Sequence, residues 1–227
     1  MNQRPLMAVN SDLATLIATL VDHEGSAAHS YCAAAINRER NSFVRDLVDF
    51  ADFVHLVTML HGQIPGLIDH AAARTVEVAA RGWLLKSIEA FSVERQYLNA
   101  MSVAVGPMPS TIGQSETSTI IAQQRHAIEM LAQSERRGCA LGTALTLVLE
   151  WHVIRSILDT GATRLGIEPV SCTLPSREET LELLDDLPQP ERLSRAIQFG
   201  TTQLLAQHRG MWDLLKARAG ARVQAHS

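Results

Sequence analysis

The sequence predicts an all-α fold, a single domain built as a bundle of six to eight helices. Three observations lead there. Apolar residues recur at helical spacing through most of the 227 residues. Sustained apolar/polar alternation bounded by turn residues, the mark of a half-buried strand, is not found. The composition, 46% hydrophobic and 19% charged, supplies ample apolar surface. A chain of this length buries roughly 70% of the surface exposed by its unfolded form, without help from disulfide or metal.

The elements follow in order. Ser11 and Asp12 form an N-cap pair for a first helix in which Leu13, Leu16, Ile17 and Leu20 keep an i, i+3, i+4, i+7 rhythm. Gly25 ends or bends it, and helical character resumes over 31–36. Polar residues 37–41 connect to a second helix over 42–61, apolar on most sides and so expected near the centre of the fold. Gly62 and Pro65 break it. A third helical stretch spans 65–105, with Gly82 as its expected dividing point. The loop 106–115 carries Pro107, Pro109 and Gly113. A fourth helix is expected over 116–137, and a fifth, set off by Gly138, over 139–165. Ala140, Gly142 and Ala144 on the fifth permit another helix to approach closely. A second loop at 168–177 precedes a short helix over 178–187 and a last one over 191–219. Residues 1–10 and 220–227 are expected to be flexible ends of the 11–219 domain.

Charge and cysteine usage narrow the function classes. The net charge is −4 and the isoelectric point about 6.1, so no basic excess is present to neutralise a nucleic-acid backbone. Residues 11–36 also lack a basic recognition helix, which argues against a DNA-binding regulator. Arginine supplies eighteen of the twenty basic residues. Cys32, Cys139 and Cys172 are odd in number and form no CxxC pair, which fits a reducing compartment. The first ten residues have no signal-type apolar core. The longest apolar run, 139–149, ends at Glu150, short of a membrane span. A cytoplasmic location, with no membrane and no nucleic acid as partner, is expected.

Glu150 is the sharpest candidate for chemistry. It follows eleven uncharged residues, and its helical neighbours Thr146, Leu147, Val153, Ile154 and Ile157 make an apolar face. A carboxylate placed there must be paired or protonated. One reading makes it a metal ligand or a general base; the other makes it a core acid held by an arginine or a backbone group of another helix. Asp52 and His55 stand at carboxylate-x-x-His spacing, and His126 and Glu129 form the reversed pair. Helical di-iron proteins place ligands at such spacings, so Asp52, His55, His126, Glu129 and Glu150, with Glu77 or Glu94 in reserve, form a candidate iron or manganese set. His55, His61 and His70 flank the break at 62–65 without a zinc spacing. The loop 106–113 leads into a helix start rich in hydroxyls, Ser115, Thr117, Ser118 and Thr119, where ordinary capping explains the residues better than an anion site. Cys139, beside Arg136 and Arg137, starts a buried helix and reads as a packed thiol.

Over 43–166, the residues Arg125-His126, Arg136-Arg137-Gly138-Cys139-Ala140-Leu141-Gly142 and Glu150-Trp151, with the loop 106–113, resemble a small family of uncharacterised proteins from GC-rich bacteria. That resemblance implies no activity and no site residues. Helix number and length also resemble ferritin-like bundles and haem-oxygenase-like bundles, and the latter multihelical fold is the alternative architecture. The chain departs from the ferritin-like pattern in lacking Glu-x-x-His.

The functional expectation is therefore a helical-bundle protein that binds a small apolar ligand or a protein partner, with Glu150, His126 and Trp151 as ligand-binding residues and no cofactor. The alternative is a metal-dependent oxidase or oxygenase of di-iron type. Trp83, Trp151 and Trp212 are expected contributors to a homo-oligomer contact.

Overall fold

The computed structural model describes residues 13–36, 46–188 and 190–225. Among them are nine α-helices, one 3₁₀ turn (Ser26–Ala28) and no strand: α1 (Leu13–Glu24), α2 (Ser30–Ile36), α3 (Leu47–His61), α4 (Leu67–Arg74), α5 (Ala80–Ala104), α6 (Gln114–Ala132), α7 (Cys139–Arg164), α8 (Arg177–Asp186) and α9 (Glu191–Ala225). The all-helical expectation holds. The Ser11/Asp12 cap, the segment 1–10, the connection 37–41 and the first residues of the expected 42–61 helix lie outside the described residues.

Local chemistry explains several helix ends. Asp46 caps α3, its side chain accepting from Val48 N–H at 2.9 Å. Ser176 and Glu179 form a reciprocal capping box at α8. The stretch 65–105 divides at Thr75, not at Gly82. Thr75 is extended and its hydroxyl bonds back to Ala71 O at 2.7 Å. Two residues on, Glu77 is buried and accepts from Arg137 Nε at 2.6 Å. That pair pins the chain between α4 and α5, while Gly82 faces open space, with no atom within 4 Å of where a Cβ would stand. α6 stops at Ala132, five residues before the expected end. The last helix continues through 220–225, a stretch expected to be flexible, and Arg222 within it is held by Asp49 and Asp52 of α3.

The core is one hydrophobic cluster drawn from all nine helices. Its axis is α7, buried along nearly its whole length from Cys139 to Ala162. By length and composition α7 is apolar enough to cross a membrane, but 83% of its most apolar window is buried inside the protein. Burial in the core accounts for its greasy sequence.

The most extensive helix pair is α7 with α9. The other helix expected near the centre, 42–61, is α3, which packs chiefly on α5 and α6. α7 and α9 run parallel, as the pairing of their residues shows. Gly142 faces Ile197 and Gly200 faces Cys139 and Thr143; the Thr146 and Thr201 hydroxyls lie 2.9 Å apart; Glu150 meets His208 at 3.1 Å. Side-chain-free positions make this contact possible. A Cβ on Gly142 would lie 2.2 Å from the Ile197 carbonyl oxygen, and one on Gly200 would lie 2.3 Å from that of Cys139. The helix expected over 191–219 is α9, and its strongly polar outer face conceals its central place in the packing.

Overpacking a backbone-to-backbone contact costs about 1–3 kcal/mol, whereas an alanine in an open helix position gains up to about 1 kcal/mol over glycine. Urea denaturation should therefore show Gly142→Ala less stable than wild type by about 2 kcal/mol and Gly82→Ala equal or slightly more stable. Equal effects of the two substitutions would contradict the packing.

Candidate functional site

Glu150 lies in the middle of α7 with 1% of its surface exposed. Among the described residues no arginine pairs with it. The Ser26 backbone N–H donates to its carboxylate at 2.9–3.0 Å, and the Ser26 hydroxyl donates to Oε2. The 3₁₀ turn after α1 brings Ser26 there, and Gly25 is what lets the turn come so close: a Cβ on it would stand 2.5 Å from Glu150 Oε1. From the other side, His208 of α9 meets Oε2 through Nδ1 at 3.1 Å. The core-acid reading of the sequence, with a backbone group from another element as partner, describes this arrangement.

The chain of contacts continues inward. His208 Nε2 lies 3.0 Å from His61 Nε2 at the end of α3. One donation per contact fixes the order of protons: His208 Nδ1–H donates to Glu150, His61 Nε2–H donates to His208 Nε2, and His61 Nδ1 carries a lone pair. That Nδ1 is buried and, among the described residues, meets no hydrogen-bond donor. Burial, with the neighbouring His208, holds the His61 imidazole well below its ordinary titration range. The His61 ring stands edge-on to Trp151 at 5.8 Å. Cys32 is fully buried, and burial together with the Glu150 charge pushes its thiol upward, which favours the protonated form.

Trp151 opens a second polar line from α7. Its indole N–H donates to Glu94 at 2.9 Å. Glu94 pairs with Arg155 at 2.6 Å, and Arg155 pairs with Asp159 at 2.7 Å while lying 4.3 Å over the Tyr97 ring. Trp83, Trp151 and Trp212 are all buried in the core. They present no face to a partner, contrary to the role expected of them in an oligomer contact, because each packs against other core rings or helices.

The five residues of the metal reading are not brought together. Asp52 is fully buried and engaged by Arg218 at 2.8 Å and Arg222 at 2.6 Å, both from α9. These arginines also bond Thr111, and Arg218 bonds Pro109 O, so the pair ties the 106–113 loop down. His55 Nε2 contacts Gly106 O at 2.9 Å. His126 is exposed on α6, and Glu129 pairs with Arg125 of the same helix at 3.5 Å. Glu150 is occupied as described. Among the described residues no group of three or more His, Cys, Asp or Glu side chains is arranged to hold a metal ion. The carboxylate-x-x-His spacing reflects a helix face that meets arginines and a loop. The ligand set Glu150, His126 and Trp151 likewise shares no site, since His126 lies on the surface in a shallow groove with Ser115, Ser118 and Gln123. The hydroxyls near that helix start bond back to their own helix, Thr117 to Gly113 O and Thr119 to Ser115 O. Among the described residues, Gly113 in left-handed conformation replaces a side-chain cap.

An accessible cleft of about 540 Å³ opens where α7 and α9 begin, lined by Arg136, Arg137, Pro190, Arg192, Leu193 and Arg195. Arg137 pairs with Glu77, and Arg195 pairs with Glu191. Arg136 lies 5.4 Å over the Phe199 ring. Neither Arg136 nor Arg192 has a carboxylate within ion-pair distance among the described residues.

A family model matches residues 21–223, nearly the whole chain from α1 to the last turns of α9. The chain belongs to DUF6975, a family of unknown function. The family match spans both the Glu150 network and the arginine cleft. No curated protein and no solved structure gives a significant match.

Sequence reading of this DUF6975 member missed Ser26, His61 and His208 as partners of Glu150. A serine after a glycine and one histidine in a long amphipathic helix give no signal by spacing; only the α7/α9 register joins them. It also passed over Arg192 and Arg195, which look like an ordinary solvated helix start.

The His61 environment makes a pH prediction. Folding depresses its pKa, so below the ordinary value of 6.5 the unfolded chain binds a proton that the folded chain refuses. Stability is full above that pH and falls as pH drops, by up to about 1.4 kcal/mol per unit. Urea denaturation from pH 7.5 to 5.5 should show a steeper loss for wild type than for His61→Gln. Parallel profiles would contradict the assignment.

Proposed function

We propose that this protein is a binding protein whose small-molecule ligand is met at the arginine-lined cleft at the start of α7 and α9, and not at Glu150. The charged groups of the core are closed to solvent. The Glu150, Glu94 and Asp52 carboxylates are buried and held by His208, Arg155 and Arg218 respectively, which is how a core retains charged groups without acting on substrate.

One observation carries the reading: the cleft combines accessible volume with cations that lack protein counter-charges. Ligand sites are concave, with a few convergent polar groups set in an apolar surround. Pro190 and Leu193 supply apolar wall, and the arginines supply direction. The apolar-ligand expectation changes accordingly, to a ligand with an apolar portion and a polar end that faces the arginines.

A thermal-shift screen of chemically mixed small molecules tests the reading. Stabilising compounds should lose their effect in the Arg136→Ala/Arg192→Ala double variant and keep it in Glu150→Gln, each compared with its own unliganded baseline. Compounds that still stabilise the cleft variant but not Glu150→Gln would overturn it.

A further inference from the structure

We propose that the cleft binds a small polyanion, a molecule carrying two or more adjacent phosphate or carboxylate groups such as a diphosphate. The inference rests on the binding-site reading above and names the ligand class for that site.

Three features converge on it. First, the chain is acidic overall, net −4, yet it sets four of its eighteen arginines around one cleft. Glu77 and Glu191 answer two of them, and Arg136 and Arg192 are left to face the cleft without a carboxylate. Like charges gathered this way repel, and a bound anion relieves that repulsion. Second, α7 and α9 are parallel, so their N-termini open at the same end of the bundle. These are long helices, 26 and 35 residues, and each presents the positive end of its dipole there. α7 has Gly138 in place of a side-chain cap, with no side-chain bond to its first turn. Third, the cations are all arginine. Guanidinium groups meet phosphate or carboxylate oxygens in pairs of parallel hydrogen bonds, and several set around one cleft suit an anion with more oxygens than a single guanidinium engages.

Size and position favour a small molecule over a nucleic acid. The cleft holds about 540 Å³, and Glu77, Glu135 and Glu191 lie beside its arginines in sequence or by ion pair. An extended phosphate backbone calls for a continuous basic track, which these carboxylates interrupt.

The test is titration with pyrophosphate, followed by calorimetry at constant ionic strength. Wild type should bind one pyrophosphate per chain saturably, more tightly than it binds inorganic phosphate. Arg136→Ala and Arg192→Ala should each weaken binding by about tenfold, and Lys216→Ala, an exposed lysine elsewhere on α9, should leave it unchanged. The arginines are exposed, and matching circular dichroism will show that the variants fold. Arg192→Lys should retain part of the affinity. Non-saturating binding, or equal binding by the arginine and lysine variants, would overturn the proposal. So would a single-stranded oligonucleotide that binds the same arginines more tightly than pyrophosphate does. If pyrophosphate fails while uncharged compounds from the screen bind in a manner sensitive to Arg136 and Arg192, the polyanion inference falls and the cleft reading stands.

Discussion

The structure depends on one contact: the backbone of α7 lying directly against the backbone of α9. Gly142 and Gly200 permit it, each facing a carbonyl of the opposite helix where no Cβ fits. Helices packed on side chains can shift by a residue and repack. Helices packed on glycine cannot, because the next position along carries a side chain that the gap rejects. The contact therefore sets a register, and that register does two things at once. It brings His208 to Glu150 in the interior, and it brings Arg192 and Arg195 to Arg136 and Arg137 at the surface.

The interior consequence is a polar chain inside an apolar helix bundle. Ser26, Glu150, His208 and His61 come from four separate elements, the 3₁₀ turn, α7, α9 and α3. Removing one partner leaves a buried polar group unsatisfied, at a cost of roughly 1–3 kcal/mol. Asp52 with Arg218 and Arg222 does the same between α3 and α9, and breaking a buried ion pair from one side costs about 3–5 kcal/mol. Apolar side chains would supply comparable cohesion with less directional demand. The polar groups add a requirement for one arrangement of the 3₁₀ turn, α3, α7 and α9.

Much of the fold was legible in the sequence. The helical rhythm, the breaks at Gly62, Gly106 and Gly138, and the small residues at 140–144 all pointed to the right elements. Burial of Glu150 followed from its apolar neighbours alone. The partners did not follow, because Ser26, His61 and His208 are remote in sequence and each is unremarkable in its own segment. The division at Thr75 escaped notice because it depends on Arg137 reaching Glu77 across 60 positions. Asp52 and His55 drew a metal reading through their spacing, since an i, i+3 pair states only that two side chains share a helix face. What that face meets is a tertiary fact, and here it is arginine and a loop carbonyl.

Coupling between interior and surface is the central claim, and one variant tests it most directly. Gly200→Ala places a Cβ against Cys139 O and Thr143 and should push α9 away from α7. The His208 Nδ1–H resonance, observed by ¹H–¹⁵N NMR, should be slowly exchanging in wild type and lose that protection in the variant, and pyrophosphate affinity at the cleft should fall with it. A variant that keeps the protected His208 proton and the affinity of wild type, or loses one without the other, would contradict the account.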